Sequence, residues 1–410
     1  MISLKIPRGR IYQNYSIILK GLISVFFKDK QNHHTLNTFK ALINKTFGIN
    51  NCLLLPLART AVFLTLKSLN LPKNSEVIMS PITIKPMLDV VLELGLKPIF
   101  VDIEKKNLNF EIKDLKNKIS QNTRAVLLTH LWGLSADLNE IISILKKNKI
   151  FIIEDFSHNF NSIINNIKAG LIGDVGICSL STIKTIDTFG GAILISKNEK
   201  IIEKISLEKI KNLNESSRII IFQKILKNII LSISTERHFF SNFIFYILKL
   251  IKSITNSKTK MLGNRNKNRL KKIPRSWFCS YSSIQAEAGI KKFEQVEKED
   301  NSRIKFAEEI KSILIKKNIK FPCGDEPGKD VFWQFLFYPE NPVVFERKMM
   351  KLGVDCTSTS LEYLPKLNYV NYTKLPNAEF VYENGIFIPC HSNFSDKEKE
   401  FILDKLDKAL

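Results

Sequence analysis

Five polar residues in the first half of the chain have the types and the spacing that cofactor chemistry requires. Asp155 and His158 come at the end of one short apolar run, and Ser179 precedes Lys184 by five residues at the end of another. Thr60 follows the first such run and its turn. If these runs form the strands of an open α/β sheet, ligands bind at their carboxyl ends, where the five side chains would meet.

Each of these residue types supplies one part of a site for pyridoxal phosphate. A lysine in a buried crevice can have a lowered pKa and form a Schiff base with an aldehyde. A carboxylate can hold a proton on a heteroaromatic nitrogen, and hydroxyl groups at the start of a helix favour a phosphate. Together these requirements describe pyridoxal phosphate. Taken singly, His158 is equally a helix-start residue and Ser179 a buried hydroxyl in a strand.

The elements that would position these residues are short apolar runs that alternate with helix-like segments between about residues 50 and 196. The runs are rich in Val, Ile, Leu and Phe without clean alternation, as in strands buried on both faces of a mostly parallel sheet. The seven runs are Cys52–Leu55, Glu76–Ser80, Lys97–Asp102, Arg124–His130, Ile150–Asp155, Asp174–Leu180 and Gly191–Ser196. Between them, Pro86–Gly95 and Asp137–Lys147 are typical of helices. The series predicts an α/β domain with a mostly parallel seven-stranded sheet.

The C-terminal part predicts a smaller α+β domain. A helical stretch runs from Ser280 to about Ile315 and precedes the strand-like segment Asp330–Tyr338. Helices over Val344–Leu352 and Asp396–Leu410 complete it. The predicted organisation is an N-terminal segment (1–50), the large cofactor-binding domain (51–205), a basic apolar helical insertion (206–277) and the C-terminal domain (278–410).

Several other classes of site are not indicated. The sequence contains neither a G-x-G-x-x-G loop after a strand nor a G-x-x-x-x-G-K-[ST] loop, the usual nucleotide-binding signatures. Its six cysteines are scattered without a C-x-x-C pair, so neither a disulfide framework nor a zinc knuckle is expected. This cysteine pattern favours a reducing cytoplasm, and no metal is expected.

The sequences of these segments and their order resemble the motifs of the DegT/DnrJ/StrS family of sugar aminotransferases. The phosphate-binding turn and helix, the H-L-Y-G-x-P-A-D-M signature, the E-D-A-A-Q/H stretch and the lysine motif all have counterparts in this order. The matching segments are Leu53–Leu69, Lys97–Ile103, His130–Leu138, Ile153–His158, Gly173–Lys184, Gly190–Ser196, Leu375–Glu379 and Ile386–His391. The resemblance covers roughly residues 37–205 and 278–410 and implies a fold-type I, pyridoxal-phosphate-dependent enzyme that forms a homodimer.

The resemblance also implies a role for each candidate residue at the cofactor ring. Lys184 would be the Schiff-base lysine and the general base. Asp155 would pair with the pyridine nitrogen and keep it protonated, so that the ring acts as an electron sink. His158 stands where a Gln or His contacts the 3-oxygen of the ring.

At the other end of the cofactor, the resemblance implies three phosphate contacts. Ser179 and Thr60, together with the backbone of Ala61, would hold the phosphate. Ala58 stands where this turn usually has Gly.

Lys184 distinguishes between activities within the family, because dehydratase relatives carry His at this position. With Lys present, the resemblance implies transfer of an amino group from L-glutamate to a nucleotide-linked keto-sugar, in surface polysaccharide or amino-sugar biosynthesis. The departures at Ala58, Ile84 and Phe189 motivate an alternative, a catalytically lapsed relative that acts as a binding or membrane-peripheral scaffold protein. The retention of Lys184 and Asp155 argues against this alternative.

The net charge of +22 is concentrated in one segment. Residues 216–277 contain fourteen basic residues and one acid, Glu236. Within this segment, Arg218–Ile233 and Phe239–Ile251 are apolar stretches with Lys at intervals, followed by a basic tail. One hypothesis is a helical hairpin that lies on an anionic membrane, which would make the protein peripheral at the inner face of the membrane. The other is a helical pair that packs on the protein itself.

Neither a spanning helix nor a nucleic-acid partner is expected. The N-terminal apolar stretch Ile17–Phe27 is interrupted by Lys20 and Gly21, and no small-residue cleavage site follows it. Phe239–Ile251 is well short of the roughly 20 residues that a spanning helix needs. No nucleic-acid-binding motif accompanies the positive charge.

Overall fold

A computed structural model describes residues 4–11, 14–26, 32–215, 217–254, 268–270 and 272–410 of the chain. Most of the basic tail that follows the two apolar stretches of the insertion lies outside the described residues.

The strands of the described residues include the seven that the sequence predicts, each corresponding to one of the predicted runs. The strands are β1 (Cys52–Leu55), β2 (Glu76–Met79), β3 (Ile82–Thr83), β4 (Lys97–Phe100), β5 (Thr123–Thr129), β6 (Phe151–Asp155), β7 (Ile163–Ile164), β8 (Ile167–Lys168), β9 (Val175–Ser179), β10 (Ala192–Ile195), β11 (Gly328–Lys329), β12 (Phe335–Phe337), β13 (Glu362–Tyr363) and β14 (Ile386–Ile388). Seven of them form a sheet in the order β1-β10-β9-β6-β5-β2-β4. The pairs among β9, β6, β5, β2 and β4 are parallel, and β10 is antiparallel to both of its neighbours. This confirms the predicted mostly parallel seven-stranded sheet.

The helices cover both faces of this sheet and form much of the C-terminal part. They are α1 (Tyr15–Phe26), α2 (His33–Phe47), α3 (Ala58–Ser68), α4 (Lys85–Glu93), α5 (Ile112–Lys118), α6 (Asn139–Lys147), α7 (Glu199–Asn212), α8 (Arg218–Thr235), α9 (Arg237–Phe239), α10 (Phe245–Ile254), α11 (Ser283–Phe293), α12 (Val296–Lys316), α13 (Pro342–Leu352), α14 (Pro376–Asn384) and α15 (Asp396–Ala409). A π-helical turn at Phe240–Ile244 joins α9 to α10, and short 3-10 helices lie at Arg275–Phe278 and Leu364–Lys366.

The central strands lack sequence alternation because both faces of the sheet are covered. On β2, Val77 and Met79 belong to one hydrophobic core, whereas Ile78 belongs to the other. On β5, Leu127 points into the first core and Val126 into the second. Successive side chains of a strand point to opposite faces, so a strand between two cores must be apolar throughout.

Two predictions in the C-terminal part need correction. The single helix from Ser280 to about Ile315 is two helices, α11 and α12, interrupted at Glu294 and Gln295. Of the segment Asp330–Tyr338, only Phe335–Phe337 is a strand. The first residues of this segment form a loop instead, because the Asp330 carboxylate accepts hydrogen bonds from the backbone N–H and the hydroxyl of Ser135.

The insertion packs partly on the rest of the protein. On α8, Ile221 and Ile225 are buried in a small core that also contains Ile17 of α1, Ile284 of α11 and Phe189. The opposite side of α8 leaves large apolar side chains in solvent, which are Ile219, Leu226, Ile230 and Ile233. No helix among the described residues is both long enough and apolar enough to cross a membrane. The predicted domain boundaries stay a prediction.

Candidate cofactor site

Asp155 is the last residue of β6, at the carboxyl end of the sheet between β5 and β9. Its side chain is buried, and one carboxylate oxygen, Oδ1, accepts the backbone N–H of Ser157 at 3.1 Å. Within the described part of the chain, no donor contacts the second oxygen. This carboxylate therefore keeps an acceptor that can pair with a protonated ring nitrogen.

His158 lies three residues after Asp155, just past the end of β6, and its side chain is buried. Its Nδ1 accepts the backbone N–H of Trp132 at 3.1 Å, which places the proton of the neutral ring on Nε2. Burial lowers the pKa of His158 well below its ordinary value, and the positive charges of Lys184 and His130 act in the same direction. His158 is therefore a neutral hydrogen-bond donor through Nε2.

Trp333 forms an aromatic wall against both His158 and Lys184. Its ring stacks on the imidazole of His158, with centroids 3.9 Å apart and planes within 11°. The Nζ atom of Lys184 lies 3.9 Å from the centroid of the same indole ring, a cation–π contact. The indole nitrogen donates to the carbonyl of Ile183 at 2.8 Å, which fixes the ring next to the loop that carries Lys184.

The loop between β9 and β10, residues 180–191, carries Lys184 and is held by internal hydrogen bonds; we call it the lysine loop. Thr188 donates its backbone N–H to Leu180 and its hydroxyl to the carbonyl of Gly190. Ile183, immediately before Lys184, has a φ of +77°, which a β-branched residue adopts only under strain. Such strain is common at functional sites, where the surrounding contacts hold the backbone in place.

Lys184 lines a cleft that is open to solvent. The same cleft is lined by Trp333, by His391 and by three cations that are each paired with an acid. The pairs are Arg10 with Glu398, Lys292 with Glu299, and Arg303 with Asp300. The lining of this cleft beside the lysine thus includes several positive groups.

Thr60 and Ala61, which the sequence predicts to contact the phosphate, form other hydrogen bonds in the structure. The hydroxyl of Thr60 is fully buried and donates to the carbonyl of Trp277 at 2.7 Å. The backbone N–H groups of Thr60 and Ala61 both point to the carbonyl of Leu57 in the first turn of α3. The phosphate role of these two residues stays a prediction that this geometry does not support directly.

Ser179 is brought together with a second hydroxyl that the sequence analysis did not single out. Ser179 ends β9, and its Oγ lies 3.0 Å from the Oγ of Ser181. The backbone N–H of Ser179 donates to the hydroxyl of Ser157, which connects this pair to the strand end that carries Asp155. The sequence of Gly173–Lys184 contains two serines close to the lysine, and the pattern that indicated Ser179 would also have indicated Ser181.

The residues of this site fit pyridoxal phosphate. Asp155 offers an acceptor for the pyridine nitrogen and His158 offers an N–H for the ring oxygen, and Lys184 and His158 both contact the ring of Trp333. Ser179 and Ser181 provide hydroxyls close to the lysine. When bound, the cofactor supplies an aldehyde and a ring that withdraws electrons from a substrate carbon.

Comparisons with known proteins find similarity to sugar aminotransferases. Residues 30–218 match the DegT/DnrJ/EryC1/StrS aminotransferase family. The uncharacterized protein MJ1066 of Methanocaldococcus jannaschii is 25% identical over 380 residues, which cover 91% of this chain and 89% of that protein. The UDP-4-amino-4,6-dideoxy-N-acetyl-beta-L-altrosamine transaminase of Campylobacter jejuni is 30% identical over 175 residues, 42% of this chain and 46% of that enzyme.

Solved structures share the fold along the whole chain. The putative sugar aminotransferase Spr1654 from Streptococcus pneumoniae, in its PMP form, superimposes with a TM-score of 0.75 at 17% identity. The match covers 99% of this chain and 97% of that one. This likeness confirms the predicted fold-type I architecture.

Proposed function

We propose that this chain is a pyridoxal-phosphate-dependent sugar aminotransferase of the DegT/DnrJ/EryC1/StrS family, and that it transfers the amino group of L-glutamate to a nucleotide-linked keto-sugar. The observation that carries the proposal is the contact of both Lys184 and His158 with the ring of Trp333, at the end of the strand that carries Asp155. The Campylobacter relative, whose name specifies a UDP-linked amino sugar, supports a nucleotide-sugar substrate. We place the product in surface polysaccharide or amino-sugar biosynthesis.

Each of the three residues has a distinct task in this proposal. Asp155 holds the proton on the pyridine nitrogen through its second carboxylate oxygen. His158 donates from Nε2 to the ring oxygen, and its lowered pKa keeps it neutral throughout. Lys184 would hold the aldehyde group of the cofactor, and its amine would carry the proton to and from the substrate carbon.

The overall reaction balances without an external oxidant, reductant or net water. Glutamate gives its amino group and becomes 2-oxoglutarate, and the carbonyl carbon of the sugar receives the amino group and becomes a C–N centre. The donor carbon is oxidised by two electrons and the sugar carbon is reduced by two. The two half-reactions use the same cleft, so the site must admit both an amino acid and a sugar.

The visible absorbance of the lysine-bound cofactor tests this proposal. Purified protein with added pyridoxal phosphate should show the band, Lys184→Ala should not, and the exposed Lys227→Ala should serve as an unaffected control. Addition of glutamate should bleach the band of the unmutated protein. Absence of the band in the unmutated protein would contradict the proposal and favour the binding or scaffold alternative.

The substrate is tested separately by its product. A panel of nucleotide keto-sugars incubated with glutamate should yield an amino sugar and 2-oxoglutarate in equal amounts. Release of 2-oxoglutarate without any amino sugar would contradict the sugar specificity but not the use of the cofactor. The homodimer implied by the family is also a proposal, which sedimentation analysis of the purified protein checks.

A second proposal concerns the outer surface of the insertion, which we assign to an anionic membrane. Phe243 and Ile247 are 59% and 55% exposed, next to other exposed apolar side chains of α8 to α10. The basic residues of 216–277 accompany them, with Lys227 and Arg237 exposed on the described part. Apolar side chains flanked by positive charge fit the boundary between lipid tails and anionic headgroups.

Vesicle sedimentation tests this membrane contact. The protein should pellet with vesicles of mixed phosphatidylcholine and phosphatidylglycerol, and much less with phosphatidylcholine alone. Replacing Phe243 and Ile247 together by Ser should weaken pelleting at least tenfold, because each buried apolar side chain contributes about 1.5–3 kcal/mol. Equal pelleting of this variant and the unmutated protein would contradict the proposal.

A further inference from the structure

Helix α8 of the insertion lies directly against the lysine loop. The side-chain amide of Asn228 donates to the carboxylate of Asp187 at 2.9 Å, and Ile225 packs in the same small core as Phe189. One turn before Asn228, Lys224 reaches Gly190. A Cβ atom built on Gly190 would lie 3.3 Å from both Cε and Nζ of Lys224, so the glycine leaves room for the end of this lysine.

Gly190 places the end of Lys224 next to the predicted phosphate contacts. The neighbouring carbonyl of Gly191 accepts the backbone N–H of Leu180 at 2.8 Å. Leu180 lies between Ser179 and Ser181, whose hydroxyls are 3.0 Å apart. The ammonium group of Lys224 therefore approaches the lysine loop where it meets the serine pair.

The surroundings of Lys224 are positive. Arg59, in the first turn of α3, stacks over the ring of Trp277 at 4.6 Å and contributes its charge to the same region. Burial lowers the pKa of Lys224 and Arg59 lowers it further, whereas the Cys279 thiol acts in the opposite direction. Among the described residues, no acid forms an ion pair with Lys224. A half-buried cation beside a second cation is stabilised when an anion joins them.

We propose that Lys224 binds the phosphate group of pyridoxal phosphate, so that the insertion completes the cofactor site. A phosphate monoester carries a charge of about −1.5 to −2 at neutral pH, which two nearby cations and the start of α3 would balance. The serine pair would donate to the same oxygens. This inference rests on the proposed use of the cofactor by this chain.

The experiment compares pyridoxal phosphate with pyridoxal, which has the same ring and aldehyde but no phosphate. Binding of both is measured by calorimetry and by the visible band, in the unmutated protein, Lys224→Gln and Lys224→Arg. The matched control is Lys227→Gln, an exposed lysine three residues further along the same helix. Thermal unfolding of each variant verifies that it is folded.

Lys224→Gln should weaken binding of pyridoxal phosphate roughly 10- to 100-fold, the effect of losing one hydrogen bond between charged groups. Its binding of pyridoxal should be unchanged, Lys224→Arg should retain most of the affinity, and Lys227→Gln should behave as unmutated. Equal weakening for both ligands would overturn the inference, because it would show a general disturbance of the lysine loop. Unchanged binding of pyridoxal phosphate would overturn it as well.

The two proposals fail in different ways. If the unmutated protein binds pyridoxal phosphate by calorimetry but shows no visible band, the proposed role of Lys184 fails. The comparison of the two ligands in Lys224→Gln still decides the role of Lys224 in that case. If the unmutated protein does not bind pyridoxal phosphate at all, both proposals are overturned.

Discussion

The two ends of the candidate cofactor site are built in different ways. At the ring end, Asp155 ends one strand and His158 lies three residues after it, and they keep the carboxylate oxygen and the N–H that our proposal assigns to the cofactor ring. At the phosphate end, the hydroxyl of Thr60 donates to the carbonyl of Trp277, and Lys224, the cation that we propose there, comes from the inserted helix α8.

This difference follows from what holds each end. The ring end is fixed by the parallel pairing of β6 with β5 and β9, which places the ends of adjacent strands together whenever the sheet forms. The phosphate end depends on contacts between segments that are far apart in sequence, so a neighbouring segment can occupy one contact and supply another. Function at the ring end should therefore be sensitive to single residues, and the phosphate end to packing.

The largest expected effect is at the ring end. Asp155→Asn removes the negative charge that keeps the pyridine nitrogen protonated and should lower the rate of the first half-reaction by about 100-fold or more. Single-turnover absorbance changes on addition of glutamate measure it. A decrease of less than about threefold in this rate would contradict the expected difference between the two ends, since it would mean that the ring end tolerates loss of its central charge.

Next in size is the contact of α8 with the lysine loop. Asn228→Leu removes the hydrogen bond from the side-chain amide to the carboxylate of Asp187 and should destabilise the protein by about 1–3 kcal/mol. Denaturant unfolding measures this change. Gln223→Leu, at an exposed position of the same helix, is the control and should change stability by less than about 0.5 kcal/mol.

The pH dependence of the free energy of unfolding tests whether His158 stays neutral in the folded protein. Its pKa is lowered in the folded protein, so below about pH 6.5 the unfolded chain binds a proton that the folded protein does not. The unmutated protein should thus lose stability relative to His158→Gln by up to about 1.4 kcal/mol for each pH unit below 6.5. Parallel stability curves for the two proteins between pH 7.5 and 5 would show that His158 titrates as it does in water.

The smallest expected effect is at Thr60. Thr60→Val loses the hydrogen bond to the carbonyl of Trp277 and should destabilise the protein by about 1 kcal/mol. Its affinity for pyridoxal phosphate should change less than that of Ser179→Ala, as measured by calorimetry. A larger loss of affinity in Thr60→Val would mean that this hydroxyl turns to the phosphate when the cofactor binds.

The sequence was informative wherever a local pattern decides the structure. The apolar runs predicted all seven strands of the large sheet, because a strand covered on both faces must be apolar at every position. The grouping of Asp155, His158 and Ser179 at one edge of the sheet followed from the direction of the strands. The division between α11 and α12 at Glu294 and Gln295 had no such signal, since both helices carry the same periodic pattern.

By itself, then, the sequence determined the sheet and placed the candidate cofactor residues at the ends of its strands, because strand burial and parallel pairing follow from residue types that are close together in the chain. Only the tertiary structure decided what surrounds them. Trp333 lies beside Lys184 because hydrogen bonds from Val331 to Gly133 and from Ser135 to Asp330 hold its segment in place. Lys224 approaches Gly190 because Ile221 and Ile225 pack α8 against α1. Such contacts join residues more than thirty positions apart, and their geometry is set by packing and not by any local pattern.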